Sequence, residues 1–172
     1  MALLIQWPSV LTQFEFGSIS DNAQDMSCAM FESWLLVHKD TLKDIRIGSV
    51  SNHGNNRVFN ATLFPNLECL EISQWDMRFT IAAGLASSHL DLLGPKLETL
   101  VWDFADVEYD TKGYPSLDEA EAKWLSAFVD AAIARKAALK TVKIHYCPDA
   151  LECEVSDVRG QSRHEGSRRL LY

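Results

Sequence analysis

One six-residue phrase, apolar-x-x-apolar-x-apolar, occurs five times along this chain. It reads Leu11-Thr12-Gln13-Phe14-Glu15-Phe16, Leu42-Lys43-Asp44-Ile45-Arg46-Ile47, Leu67-Glu68-Cys69-Leu70-Glu71-Ile72, Leu97-Glu98-Thr99-Leu100-Val101-Trp102 and Leu139-Lys140-Thr141-Val142-Lys143-Ile144. A recurring strand phrase constrains the fold strongly, because one short unit cannot bury its apolar face without a neighbour of the same kind. The phrases are unevenly spaced, and each gap has room for the turn, helix and return that a parallel crossover requires. The pattern predicts an α/β solenoid of about five units over residues 1–153, with a curved parallel β-sheet on one face and α-helices on the other.

Helical periodicity falls in the gaps. After Asp21, read as an N-cap, the residues Met26, Met30, Trp34 and Val37 recur at the spacing of one helical face. Ile81, Leu85, His89 and Leu92 or Leu93 repeat the arrangement over 79–93. The longest gap opens with Ser116-Leu117-Asp118-Glu119, a capping box, and continues with Trp124, Leu125, Phe128, Val129, Ala132 and Ile133 on one stripe. Between 54 and 64 there is room for about two helical turns. Pro8, Pro65 and Pro95 stand just before their phrases, where proline stops a helix and favours an extended start.

Strand alternation sends the fourth and sixth phrase positions to one side of the sheet. Phe14, Phe16, Ile45, Ile47, Leu70, Ile72, Leu100, Trp102, Val142 and Ile144 are therefore expected to line the core. The other side carries a band of charge: Glu15 on the first strand, Lys43 and Arg46 on the second, Glu68 and Glu71 on the third, Glu98 on the fourth, Lys140 and Lys143 on the fifth. An acidic centre between basic flanks is the expected partner-binding surface.

Composition narrows the partner. Sixteen Lys and Arg against 24 Asp and Glu give a net charge of −8, which argues against nucleic acid, whose binding rests on basic side chains neutralising phosphates. Cys28, Cys69, Cys147 and Cys153 make no Cys-x-x-Cys pair and read as reduced, buried thiols. The N-terminus lacks the basic region of a signal peptide, and no apolar run reaches the ~18 residues of a membrane span. A cytoplasmic or nuclear location follows as an expectation, with the Asn60-Ala61-Thr62 sequon unused.

The phrases resemble leucine-rich repeats. Phe64-Pro65-Asn66-Leu67 through Ile72, Pro95-Lys96-Leu97 through Phe104, and the run Ala132 to Ile144 are similar to the repeat region of fungal F-box and leucine-rich-repeat-like proteins, over about residues 8–148. The resemblance implies a protein-binding role, with the chain as the substrate-recognition region of an SCF-type ubiquitin ligase adaptor. Two departures stand beside it. The ninth position, usually Asn or Cys, holds Ile19, Val50, Trp75, Ala105 and Cys147, so an asparagine ladder is not expected. The F-box that docks on Skp1 is not found before Leu11, so Skp1 is a partner only if an F-box lies upstream; otherwise the chain reads as a stand-alone repeat scaffold.

Chemistry is sparse. Asp103, Asp106, Glu108 and Asp110 form the densest acidic run, an acidic loop that would serve a metal-dependent enzyme as a third reading, but it does not match a calcium loop. His145, Cys147 and Cys153 lack the paired spacing of a zinc site. His38, His53, His89 and His164 are scattered, and His89 reads as a satisfied core residue. Gly17 and Gly48 follow strand ends and read as turns, and no glycine-rich phosphate loop or nucleophile elbow exists. No catalytic residue, cofactor or metal is expected. Residues 154–172, with Arg159, Arg163, Arg168 and Arg169 among polar residues, read as a mobile polar tail.

Overall fold

The computed structural model describes Ile5 and residues 7–17, 27–48, 58–73, 88–103, 119–145 and 167–171. All five phrases lie within these residues, and each contains a strand: β1 (Gln13–Phe16), β2 (Asp44–Ile47), β3 (Cys69–Ser73), β4 (Thr99–Asp103) and β5 (Thr141–His145). They pair in chain order, each parallel to the next, in an open sheet that is not closed into a barrel. The register aligns the phrases position by position: Phe14, Ile45, Leu70, Leu100 and Val142 form one row, and Phe16, Ile47, Ile72, Trp102 and Ile144 the next.

Those two rows form the inner face. Ile45, Ile47, Leu70, Ile72, Leu100, Trp102 and Val142 are buried, while Phe14, Phe16 and Ile144, towards the two ends, pack against the core but are only half-buried. The phrase leucines Leu42, Leu67 and Leu97 are buried beneath the strand starts. Two helices pack here through aromatic contacts. In α1 (Cys28–Leu35), Phe31 meets Phe14 and Phe16, with centroids 5.8 and 4.5 Å away. In α3 (Glu119–Ala134), Trp124 meets Trp102 edge-on at 5.4 Å. A short helix, α2 (Ser88–Asp91), and a one-turn 3-10 helix, Ala61–Leu63, occupy the two intervening gaps.

The helices differ in detail from their sequence patterns. Ser27, not Asp21, caps α1, its Oγ accepting the Met30 N–H at 3.4 Å. The buried face is Cys28, Phe31, Glu32 and Leu35, whereas Val37 is 62% exposed and Met30 36%. The helix is apolar nearly all round, so periodicity alone did not fix its rotation, and the 3-10 turn Leu36–His38 swings Val37 outwards. Glu32 faces inwards because its carboxylate accepts the Asn60 N–H at 2.8 Å. In α3, Trp124, Leu125, Phe128 and Ala132 are buried as expected, but Ile133 is 69% exposed. That helix ends on Lys136 at φ 52°, with the Lys136 and Ala137 N–H groups returning to the Ile133 and Ala132 carbonyls, the hydrogen bonds of a Schellman cap. Of the stretch 54–64, expected to hold about two helical turns, residues 54–57 lie outside the described residues, and 58–64 hold one 3-10 turn, Ala61–Leu63. Gly94 passes so close to that turn that a Cβ would stand 2.9 Å from the Ala61 carbonyl oxygen.

Ser167–Leu171 forms a sixth strand, β6, antiparallel to β5 with Thr141 opposite Leu171 and His145 opposite Ser167. These five residues lie in the stretch expected to be a mobile tail. Here the open edge of β5 offers unpaired main-chain groups, and the segment takes them up. Among the described residues β1 has no second neighbour. Among them, too, no helix is long and apolar enough to cross a membrane.

Candidate recognition face

The side of the sheet away from the helices is built from the remaining strand positions. One row crosses it as Glu15, Arg46, Glu71, Val101 and Lys143, and a second as Gln13, Asp44, Cys69, Thr99 and Thr141. A third lies one residue before the strands. There Lys43, Glu68, Glu98 and Lys140 each donate a backbone N–H to the preceding unit, starting on the Thr12 carbonyl, at 2.8–2.9 Å.

These residues are paired within the face. Lys43 Nζ bonds Glu68 Oε1 at 2.9 Å, and Lys140 Nζ bonds Glu98 Oε1 at 2.6 Å. The basic flanks thus fold over the acidic centre and neutralise it locally. Each pair is half-exposed or more, so each contributes only about 0–1 kcal/mol to stability. Arg46 makes a forked contact with Asp44, Nε to Oδ1 and Nη2 to Oδ2, both at 3.2 Å, and Nε lies 3.9 Å from Glu71 Oε2. The Asp44 hydrogen bond and charge hold the guanidinium above its ordinary pKa.

Glu71 is the least compensated of the three central glutamates. Burial, then the Asp103 charge, raises its carboxyl pKa, while His145 and Arg46 pull it down without prevailing. The Cys69 thiol beside it is also raised, first by burial and then by Asp44, and so is held as the unreactive thiol. Because the folded carboxyl has the higher pKa, ionised Glu71 costs stability. That cost sets in as pH rises from the ordinary glutamate range through the raised value, and it is absent in acid. Glu71→Gln is therefore expected to raise the urea midpoint at neutral pH and to leave it unchanged in acid. An unchanged midpoint at neutral pH would contradict the raised pKa.

The face is not uniformly open. Glu15, Lys43 and Arg46 are exposed, but Val101 is 3% and Ser73 2% exposed although both sit on this side. The accessible part is therefore weighted towards β1–β3 and the strand starts. Of the acidic loop, Asp103 lies at the end of β4, next to His145 in register; Asp106, Glu108 and Asp110 lie outside the described residues, as do Cys147 and Cys153. Among the described residues no group of three or more His, Cys, Asp or Glu is gathered to hold a metal ion. Cys28 is buried and Cys69 half-buried, and among the described residues neither is in a disulfide.

Two histidines differ from expectation. His38 is buried, with Nε2 2.8 Å from the Ile5 carbonyl oxygen, tying the start of the chain to the helix layer. His89 is half-buried, and among the described residues its Nδ1 has no hydrogen-bond partner, so it is not the fully satisfied core residue expected.

The residues at position nine of the phrases lie outside the described residues, but a different inter-unit ladder precedes the strands. Thr41 Oγ1 donates to the Leu11 carbonyl, Asn66 Nδ2 to the Asp40 carbonyl, and Lys96 Nζ to Asn66 Oδ1, at 2.7–2.8 Å. Each side chain stands directly before a phrase leucine. That polar residue before each of three leucines was the signal available in the sequence.

Comparison with protein-family models, curated proteins and solved structures finds no match.

Proposed function

We propose that the chain is a protein-recognition module that binds through the open side of its sheet, with the strand units arranged as a leucine-rich-repeat-like solenoid. The observation that carries this reading is the register. The parallel register lines up Glu15, Arg46, Glu71 and Lys143 in one row, interrupted by the buried Val101, and Gln13, Asp44, Cys69, Thr99 and Thr141 in the next, on the side of the sheet away from the helices. Such rows read a partner by charge pattern and orientation. Glu68, Glu71 and Glu98 form the centre of contact, with Glu15, Lys43, Arg46, Lys140 and Lys143 around them. Since Lys43 and Lys140 already neutralise two of the glutamates, a partner must exchange these pairs for its own, which gives specificity more than affinity. The F-box resemblance extends the proposal to substrate recognition in an SCF-type ubiquitin ligase; the rival is a scaffold with no ubiquitin role.

The test is affinity purification of the endogenously tagged protein with mass spectrometry. Skp1 and cullin among the retained proteins support the ligase role, and their absence favours the scaffold. Triple reversal, Glu68→Lys with Glu71→Lys and Glu98→Lys, is expected to weaken the principal partner roughly ten-fold or more while the circular dichroism stays the same. Undiminished binding by that variant would sink the sheet-face reading.

A further inference from the structure

The six-stranded sheet has two edge strands, β1 and β6, each with one neighbour among the described residues. On the inner face Ile45, Ile47, Leu70 and Ile72 are at most 2% exposed, whereas Phe14 and Phe16 at the same positions of β1 are half-buried, as is Ile144 towards the other end. The Thr12 carbonyl accepts from the Lys43 and Asp44 N–H groups and the Phe16 carbonyl from Gly48. Alternation along a parallel strand then turns the main-chain groups of Gln13 and Glu15 to the edge away from β2. The strand carries no proline, lysine or bulge of the kind that blunts an edge.

We propose that this edge is a homodimer interface, in which β1 pairs antiparallel with β1 of a second copy about a two-fold axis at Phe14. This inference is independent of the sheet-face reading. Gln13 then stands opposite Glu15 of the second copy, twice by symmetry, and the two pairs exchange four main-chain hydrogen bonds. The side chains match as well: an amide faces a carboxylate on the open side, and Phe14 faces Phe14 on the core side. Shifting the axis to Glu15 would oppose two carboxylates, and like charges directly opposite weaken a strand pair. Because the two-fold pairing uses the β1 edge of both copies, growth through β1 closes at two copies.

Sedimentation equilibrium of the full chain, across its soluble concentration range, tests this. A dimer of twice 19.4 kDa is expected. Gln13 and Glu15 are exposed, so changing them leaves the fold intact. Gln13→Glu opposes two carboxylate pairs and is expected to weaken the dimer roughly ten-fold, whereas Gln13→Lys creates two ion pairs and tightens it several-fold. A monomer at every concentration overturns the proposal, and so does a dimer whose affinity does not follow the order Lys, Gln, Glu at position 13.

Discussion

Phe31→Ala is expected to lower the unfolding free energy by about 3–5 kcal/mol, a large share of the roughly 5–15 kcal/mol typical of a domain. Phe31 is fully buried, and its ring lies 4.5 Å from Phe16, 5.8 Å from Phe14 and 5.5 Å edge-on to Trp34. The cost combines lost transfer energy, a cavity between α1 and the sheet, and three aromatic contacts worth about 0.5–1.5 kcal/mol each beyond their area. The contacts are not additive with the cavity, so the sum stays within the usual Phe-to-Ala range. Phe31→Leu, which fills most of the space, should cost only about 1–1.5 kcal/mol. Urea denaturation reads both, with the slope unchanged if the native and denatured states keep their compactness. A loss below about 1 kcal/mol for Phe31→Ala would mean that α1 does not pack on β1 as described.

The same residue shows where the sequence was legible and where it was not. The five strands, their order and their inward rows could be read directly, because a period of two allows only two choices of face and the phrase repeats that choice five times. Helix α1 offered no such redundancy. Cys28, Met30, Phe31, Trp34, Leu35 and Val37 surround the helix with apolar residues, and Glu32 would ordinarily mark a solvent face. The Asn60 N–H, brought near by the next strand unit, accommodates Glu32 as an inward residue, with Phe31 turned onto the sheet. Tertiary contacts chose among rotations that the local pattern left equivalent.

The candidate face was legible as a set of residues and not as an electrostatic pattern. Formal charges placed acid in the centre and base at the flanks. Side chains of four and five bonds reach across adjacent strands, however, and Lys43 and Lys140 close on Glu68 and Glu98. Summing charge strand by strand ignores this reach. Nor could it show that Glu71 lies near Asp103, since that proximity comes from the β3–β4 register and not from spacing along the chain.

At the other end of the molecule, Phe128→Ala is expected to cost a similar 3–5 kcal/mol. Phe128 is fully buried and stacks on Trp124 at 5.7 Å with the rings 5° from parallel, and Trp124 in turn stands edge-on to Trp102. Removing the phenyl ring strips one face of Trp124 and loosens the α3 contact with β4, so tryptophan emission should shift along with the urea midpoint. The paired test uses milder changes, Phe31→Leu and Phe128→Leu, alone and together. The buried residues from Phe31 to Val142 form one continuous cluster, so a single cooperative transition is expected. The two sites share no ring contact, so the double variant should lose the sum of the single losses to within about 0.5 kcal/mol. If the coupling between neighbouring units were instead weak, weakening one end would uncouple it. Two transitions with a reduced slope would then replace the single one, and the one-core description would fail.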